Sequence, residues 1–124
     1  MGHLFLFYTA SAFLVFWGIA HLVPTKSVIR GFGDISRDNK RIIMMEWIIE
    51  GVTLIFTGLL ISVLTLLNSY YEISGFVLSL IVAFIIILAL VSFFTGFRVK
   101  FLPFRLCPFV LITSALLILV GLFL

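Results

Sequence analysis

Four uninterrupted apolar stretches, residues 4–23, 42–67, 73–97 and 106–124, restrict this chain more than anything else in its sequence. Each has about the 20 residues that an α-helix needs to cross the hydrocarbon core of a bilayer. Inside lipid a backbone must satisfy its own hydrogen bonds, which leaves helices or the strands of a closed barrel. Barrel strands alternate apolar and polar residues, whereas these runs are continuously apolar, so helices are the reading. Hydrophobic residues make up 64% of the 124 residues and charged ones 10%, with a mean hydropathy of +1.38. A soluble domain carries roughly 25% charged residues, and a small one leaves too much surface exposed to hide so many apolar side chains. The expected fold is all-α: a single integral membrane domain over residues 1–124, folded as a four-helix transmembrane bundle running up-down-up-down.

The connecting segments fit this division. Pro24 stops the first span, and Ser36 or Asp38 can cap the second ahead of Ile42. Asn68, Ser69, Tyr70 and Tyr71 predict a tight turn whose tyrosines suit a membrane–water interface. Pro103 and Pro108 bracket the start of the fourth span, and Pro108 is tolerable in a first helical turn. Lys26, Arg30, Arg37, Lys40 and Arg41 lie between spans one and two, and Arg98, Lys100 and Arg105 between spans three and four; these are all 8 Lys and Arg residues. The positive-inside rule then places both basic loops in the cytoplasm and both termini outside, as in a multi-pass protein of the plasma membrane. Met1 to Phe7 holds no Lys or Arg, and the apolar run is too long for the core of a secretory peptide, so it reads as a true span. The partners expected are the bilayer itself, anionic lipid headgroups at the cytoplasmic loops, and further copies or other chains in an oligomer; nucleic acid is not expected. Cys107 is the one cysteine, which excludes an intrachain disulfide, a CxxC pair and a four-cysteine zinc site.

The residues that could carry chemistry sit mainly on the second span. Glu46, Glu50, Thr53 and Thr57 fall within roughly 60° of helical arc and make a polar stripe. A carboxylate facing acyl chains is costly, so the stripe is expected to face other helices or a wet cavity, and an intramembrane acid is a functional candidate by default. For Glu46 the competing reading is that it snorkels to the interface. Glu50 lies deeper, where it is expected to keep a proton or pair with His21. By the span ends, His21 should lie level with Glu46, and Trp17 and Gly18 level with Glu50. A His–Glu pair could relay a proton or hold two helices in register, while a headgroup-wetted histidine is the bland alternative. Glu50, Glu46 and His21 are thus the catalytic candidates, and Thr53, Thr57, Trp17 and Arg30 the binding candidates.

No cofactor or metal is expected. His3 and His21 share a helix face but stand about 27 Å apart along it, so they cannot both ligate one haem iron within a chain, which leaves His21 with Met44 or Met45 as the geometrically possible pairing. No His, Cys, Asp and Glu cluster has metal-ligand spacing. Gly31-Phe32-Gly33, after Arg30, is a lone GxG without the preceding strand of a dinucleotide fold; it reads as a turn at the membrane with Phe32 dipping into the interface. Gly75, Ser79 and Ala83 on the third span form a small-residue face expected to pack against another helix, within the chain or in an oligomer.

The order of a span ending at Pro24, Gly31-Phe32-Gly33 in a short basic loop, and Glu46-Trp47-Ile48-Ile49-Glu50-Gly51 opening the second span resembles the DoxX-like group of small four-helix membrane proteins. The resemblance covers roughly residues 18–58. That group includes subunits of quinone-linked oxidoreductases, assembly factors and cargo receptors, so the resemblance implies architecture more than activity. Several relatives carry an arginine-aspartate-containing motif where this chain has Glu50-Gly51. Two functions remain open. The first is an accessory, assembly or scaffold subunit packing against partner helices. The second is a membrane enzyme or proton-coupled carrier for a lipophilic substrate, a quinone or lipid, using Glu50 and His21. A scaffold needs the small-residue faces and can lose the acids; a proton-handling site needs the acids.

Overall fold

Helix starts follow caps and prolines rather than the edges of the apolar runs. The computed structural model describes residues 3–67 and 71–124 and contains α1 (Leu4–Leu22), α2 (Thr25–Gly31), α3 (Arg37–Leu66), α4 (Tyr71–Gly96) and α5 (Leu102–Phe123). Of these, α1, α3, α4 and α5 are long and apolar enough to cross a membrane. Ser36 caps α3: its Oγ accepts from the Asn39 N–H at 3.1 Å. Asp38 lies in the first turn, where a carboxylate suits the positive end of the helix. The helix therefore opens at Arg37, directly after the expected Ser36 cap and ahead of the apolar run that begins at Ile42. α5 likewise opens at Leu102 rather than Leu106, with Pro103 in its first turn, where a missing N–H costs nothing. Pro108 consequently lies inside the helix, fully buried, and not in its first turn. Its absent N–H leaves the Phe104 carbonyl without its usual donor.

The first basic loop is more ordered than a turn. α2 follows Pro24, with the Thr25 hydroxyl donating to the Leu22 carbonyl at 2.5 Å. Gly33 ends this unit at φ +70°, its N–H donating to the Arg30 carbonyl at 3.1 Å. That left-handed position is where a glycine is needed after a helix. The turn expected from Asn68, Ser69 and Tyr70 lies outside the described residues.

α1 packs against both α3 and α5, α5 also packs against α4, and α3 meets α4 only slightly. Leu14, Leu54, Ile61, Ile85, Leu111 and Ile118 fill the shared core. The outer surface carries Phe5, Phe16, Phe56, Phe76, Ile87 and Phe94, all exposed, a surface suited to hydrocarbon rather than water. Between lipid-bathed helices there is little hydrophobic drive, so close approach and hydrogen bonds must hold them. A Cβ on Gly18 would stand 2.6 Å from Ile55 Cγ1 and 2.8 Å from the Gly51 carbonyl oxygen, and one on Gly58 would stand 2.8 Å from the Ser11 carbonyl oxygen. Ser11 Oγ donates to the Gly58 carbonyl at 2.6 Å and lies 2.7 Å from Ser62 Oγ. Ser11 over Gly58 and Gly18 over Gly51 mean that α1 and α3 run in opposite directions.

The small-residue face expected to pack is on the wrong helix for the chain's own core. Ser79 and Ala83 are exposed, and nothing lies within 4 Å of where a Gly75 Cβ would be. The Ser79 hydroxyl is satisfied within its own helix, by the Gly75 carbonyl at 2.9 Å. The close seam is instead α1 against α3.

Candidate functional site

Where the last turn of α1 meets α3 and the start of α5, the structure forms a partly open cavity of about 160 Å³. Its polar wall is made by His21, Glu50, Trp17, Trp47, Ser92 and Cys107, and Pro24, Phe101, Pro103 and Phe104 close it on the loop side. Side chains from all four long helices thus converge on one hollow. The reason is local. The α1–α3 seam at Gly18 and Gly51 brings the backbones close enough for the next turn of α1 to reach Trp47 and Glu50 of α3.

His21 is held on two sides. Its ring stacks on the Trp47 indole with centroids 3.8 Å apart and planes 17° from parallel, and Trp47 Nε1–H donates to the His21 carbonyl at 2.8 Å. Phe104 lies 5.5 Å from the Trp47 ring and continues the aromatic wall. The imidazole is nine-tenths buried, with 9% of its side chain exposed, and Nε2 has no hydrogen-bond partner among the described residues. Glu50 Oε2 stands 3.5 Å away, within ion-pair distance but without hydrogen-bond geometry, and half of the Glu50 side chain is open. A buried polar nitrogen left unpaired is costly, unless something else in the cavity meets it.

Not every sequence candidate joins this site. His21, Glu50 and Trp17 line the cavity; Glu46, one turn from Glu50, is exposed and does not. The level match of His21 with Glu46 is therefore corrected to His21 with Glu50. The span ends at Val23 and Ile42 misplace the register by about one helical turn, because helix packing and not the apolar edge aligns the two helices. Thr57 is buried but donates to the Thr53 carbonyl at 2.8 Å, within its own helix, and neither threonine lines the cavity. The polar stripe is thus no continuous path. Arg30 is exposed on α2 and lines a separate hollow. Met44 and Met45 are exposed and outside the cavity, and among the described residues no three His, Cys, Asp or Glu side chains converge to hold a metal ion.

Trp47, Phe104, Ser92 and Cys107 were not among the sequence candidates. Trp47 carried the one usable signal: an indole N–H deep in an apolar run needs a partner when buried. The cavity also has an apolar neighbour. A groove of about 510 Å³ runs between α2 and the segment before α5, lined by Ser27, Val28, Phe32 and Val99, and it shares Pro24, Phe101 and Phe104 with the cavity. A ring-sized polar hollow therefore abuts a longer apolar trough. Chemically, the site can stack a planar ring, offer Nε2 as donor or acceptor, and exchange a proton between imidazole and carboxylate. No known protein family, curated protein or protein of solved structure matches this chain.

Proposed function

We propose that this small membrane protein binds the ring head of a lipophilic quinone-type molecule in the His21–Glu50 cavity, with its tail in the adjoining apolar groove. The observation that carries the reading is the His21 imidazole, buried with its Nε2 unpaired, in the wall of a hollow of about 160 Å³. A dry engineered cavity of roughly 150 Å³ is known to take one benzene ring, so a six-membered ring fits where a bulky phospholipid headgroup does not. A quinone carbonyl oxygen would accept from Nε2–H, and a quinol hydroxyl would donate to the unprotonated nitrogen. Glu50, beside it, is placed to hold the proton that distinguishes the two. Reduction itself needs an electron donor, so this chain is read as the binding and proton-handling component. Resemblance to the DoxX-like group, which includes subunits of quinone-linked oxidoreductases, leads the same way. The positive-inside pattern supports a location of the cavity at the cytoplasmic edge of the cell membrane.

Trp17 and Trp47, the 2 tryptophans of the chain, both line the cavity, which supplies the test. In nanodiscs, a decyl-tailed benzoquinone should quench their fluorescence saturably. His21→Ala and Glu50→Gln should weaken that binding about tenfold or more, the worth of a hydrogen bond to a charged or buried partner. Quenching that rises without saturation, or saturates alike in both variants, would refute the reading.

The scaffold or assembly role remains a second reading for one reason: the Gly75, Ser79 and Ala83 face of α4 is uncovered within the chain. The two roles are compatible in a subunit that brings a quinone site to a partner.

A further inference from the structure

α2 presents two opposite faces, and only one belongs to the groove beside the cavity. On the other, Lys26 and Arg30 lie one turn apart and meet Lys40 from the first turn of α3 around a shallow hollow of about 260 Å³. Ile29 and Met44 form its floor; Ile29 is buried and pins α2 to α3, whereas Met44 is open. No carboxylate lines the hollow. Among the described residues the one contact at ion-pair distance is His21 with Glu50, so none of these three cations is ion-paired with a described carboxylate. The bias that keeps basic residues on one side of a membrane explains why they are in this loop. It does not explain why three of them, from two helices, rim a single hollow while exposed Arg37 and Arg41 stand outside it.

We infer that this hollow binds the phosphate of an anionic phospholipid. Three like charges gathered at the rim repel one another unless an anion sits among them. A guanidinium flanked by two ammonium groups suits a phosphate, giving paired N–H donors from Arg30 and point charges from the lysines. Basic pockets between helices at the cytoplasmic edge are the general form of such sites. The floor identifies the phosphate as a lipid's rather than a free ion. Met44 begins an outward track that continues at four-residue spacing through Ile48, Val52 and Phe56, all exposed, along which an acyl chain can lie. The site is separate from the His21–Glu50 cavity and stands whether or not that cavity takes a quinone.

The test uses the full chain and native mass spectrometry from nanodiscs of mixed phosphatidylglycerol and phosphatidylcholine. The protein should retain phosphatidylglycerol preferentially. Lys26→Gln/Arg30→Gln should reduce that preference about thirtyfold, the effect of two basic contacts near a membrane surface. Arg98→Gln/Lys100→Gln removes the same charge from the other basic segment and should leave the preference in place. The single variant Lys40→Gln, a milder change at the exposed start of α3, should give a partial loss, and the thermal transition of each variant shows whether it is folded. Equal loss in the two double variants would mean unspecific surface attraction and would overturn the proposal, as would no loss in folded Lys26→Gln/Arg30→Gln or in folded Lys40→Gln. Displacement of the lipid by millimolar inorganic phosphate would also overturn it, assigning the hollow to the free ion.

Discussion

His21 and Trp47 are fixed by each other before any ligand is considered. The indole covers the imidazole face and its Nε1–H ties the last turn of α1 to α3 through the His21 carbonyl at 2.8 Å. Trp47→Phe keeps an aromatic face on His21 but deletes the donor, leaving a half-buried carbonyl without it. The expected cost is about 1 kcal/mol, seen as a fall of a few degrees in the thermal transition in detergent. A Phe variant as stable as the native chain would show that the bond holds nothing. The Nε2 side of His21 should still bind the quinone probe, now reported by Trp17 alone. These residues were unequally legible in the sequence. Glu50 and His21 stand out because a titratable group in an apolar run is expensive and demands a reason. Ser92 and Cys107 do not, since each is an ordinary membrane-helix residue on its own, and Trp47 offers only an indole N–H that needs a partner once buried. Only tertiary proximity turns them into a wall. Glu46, nearer the span's start, already carried the competing reading of a snorkelling acid, and one helical turn does separate the cavity-lining Glu50 from the exposed Glu46.

Among the helices, the seam of α1 and α3 decides the geometry of the site, because it sets which turn of α3 His21 meets. Gly18 and Gly58 are small so that backbones touch. Gly18→Ala would place a methyl 2.6 Å from Ile55 Cγ1 and 2.8 Å from a backbone oxygen, so the helices must part. Overpacking of this kind costs about 1–3 kcal/mol and should also weaken quinone binding by moving His21 from Glu50. Gly75→Ala meets open space in the middle of a helix turn and should be neutral or stabilising by up to about 1 kcal/mol. Thermal transitions of the two alanine variants compare these directly; a Gly18→Ala chain as stable as Gly75→Ala would contradict the seam. Apolar run length was enough to read all four spanning helices, since lipid solubility depends on it. It could not give their starts. Ser36 and Pro103 open α3 and α5 outside the apolar runs, and α2 is a polar, interfacial helix that hydropathy does not register. The small-residue pattern was read on α4, where the spacing is regular, and missed between α1 and α3, where Ser11, Gly18, Gly51 and Gly58 recur seven residues apart and matter only in pairs.

For the whole molecule, the open face of α4 and the distribution of charge make separate predictions. Ser79→Leu has nothing within the chain to strike, so the monomer should melt as before, and a fall in oligomer size on native gels would report a partner helix on that face. An unchanged oligomer would remove the case for assembly through it. Orientation is testable with equal directness. Val28 and Phe32 of the first basic segment line one groove with Val99 and Phe101 of the second, while Phe7 and Gly121 meet at the far end of the bundle. Both basic segments therefore share an end, and that end carries all 8 Lys and Arg residues. The chain between Leu67 and Tyr71 has none. Moving five and three basic side chains across a bilayer is far less favourable than moving a segment with none, so the basic end is expected in the cytoplasm. In a Cys107→Ala background, single cysteines at Asp34, Lys100 and Leu67 can be probed with an impermeant maleimide. Asp34 is preferable to Gly33, whose positive φ a cysteine would strain. On intact cells Leu67→Cys should label while Asp34→Cys and Lys100→Cys label only after permeabilisation. Labelling of Asp34→Cys from outside, or of all three from both sides, would reverse or dissolve the orientation and with it the cytoplasmic placement proposed for the His21–Glu50 cavity.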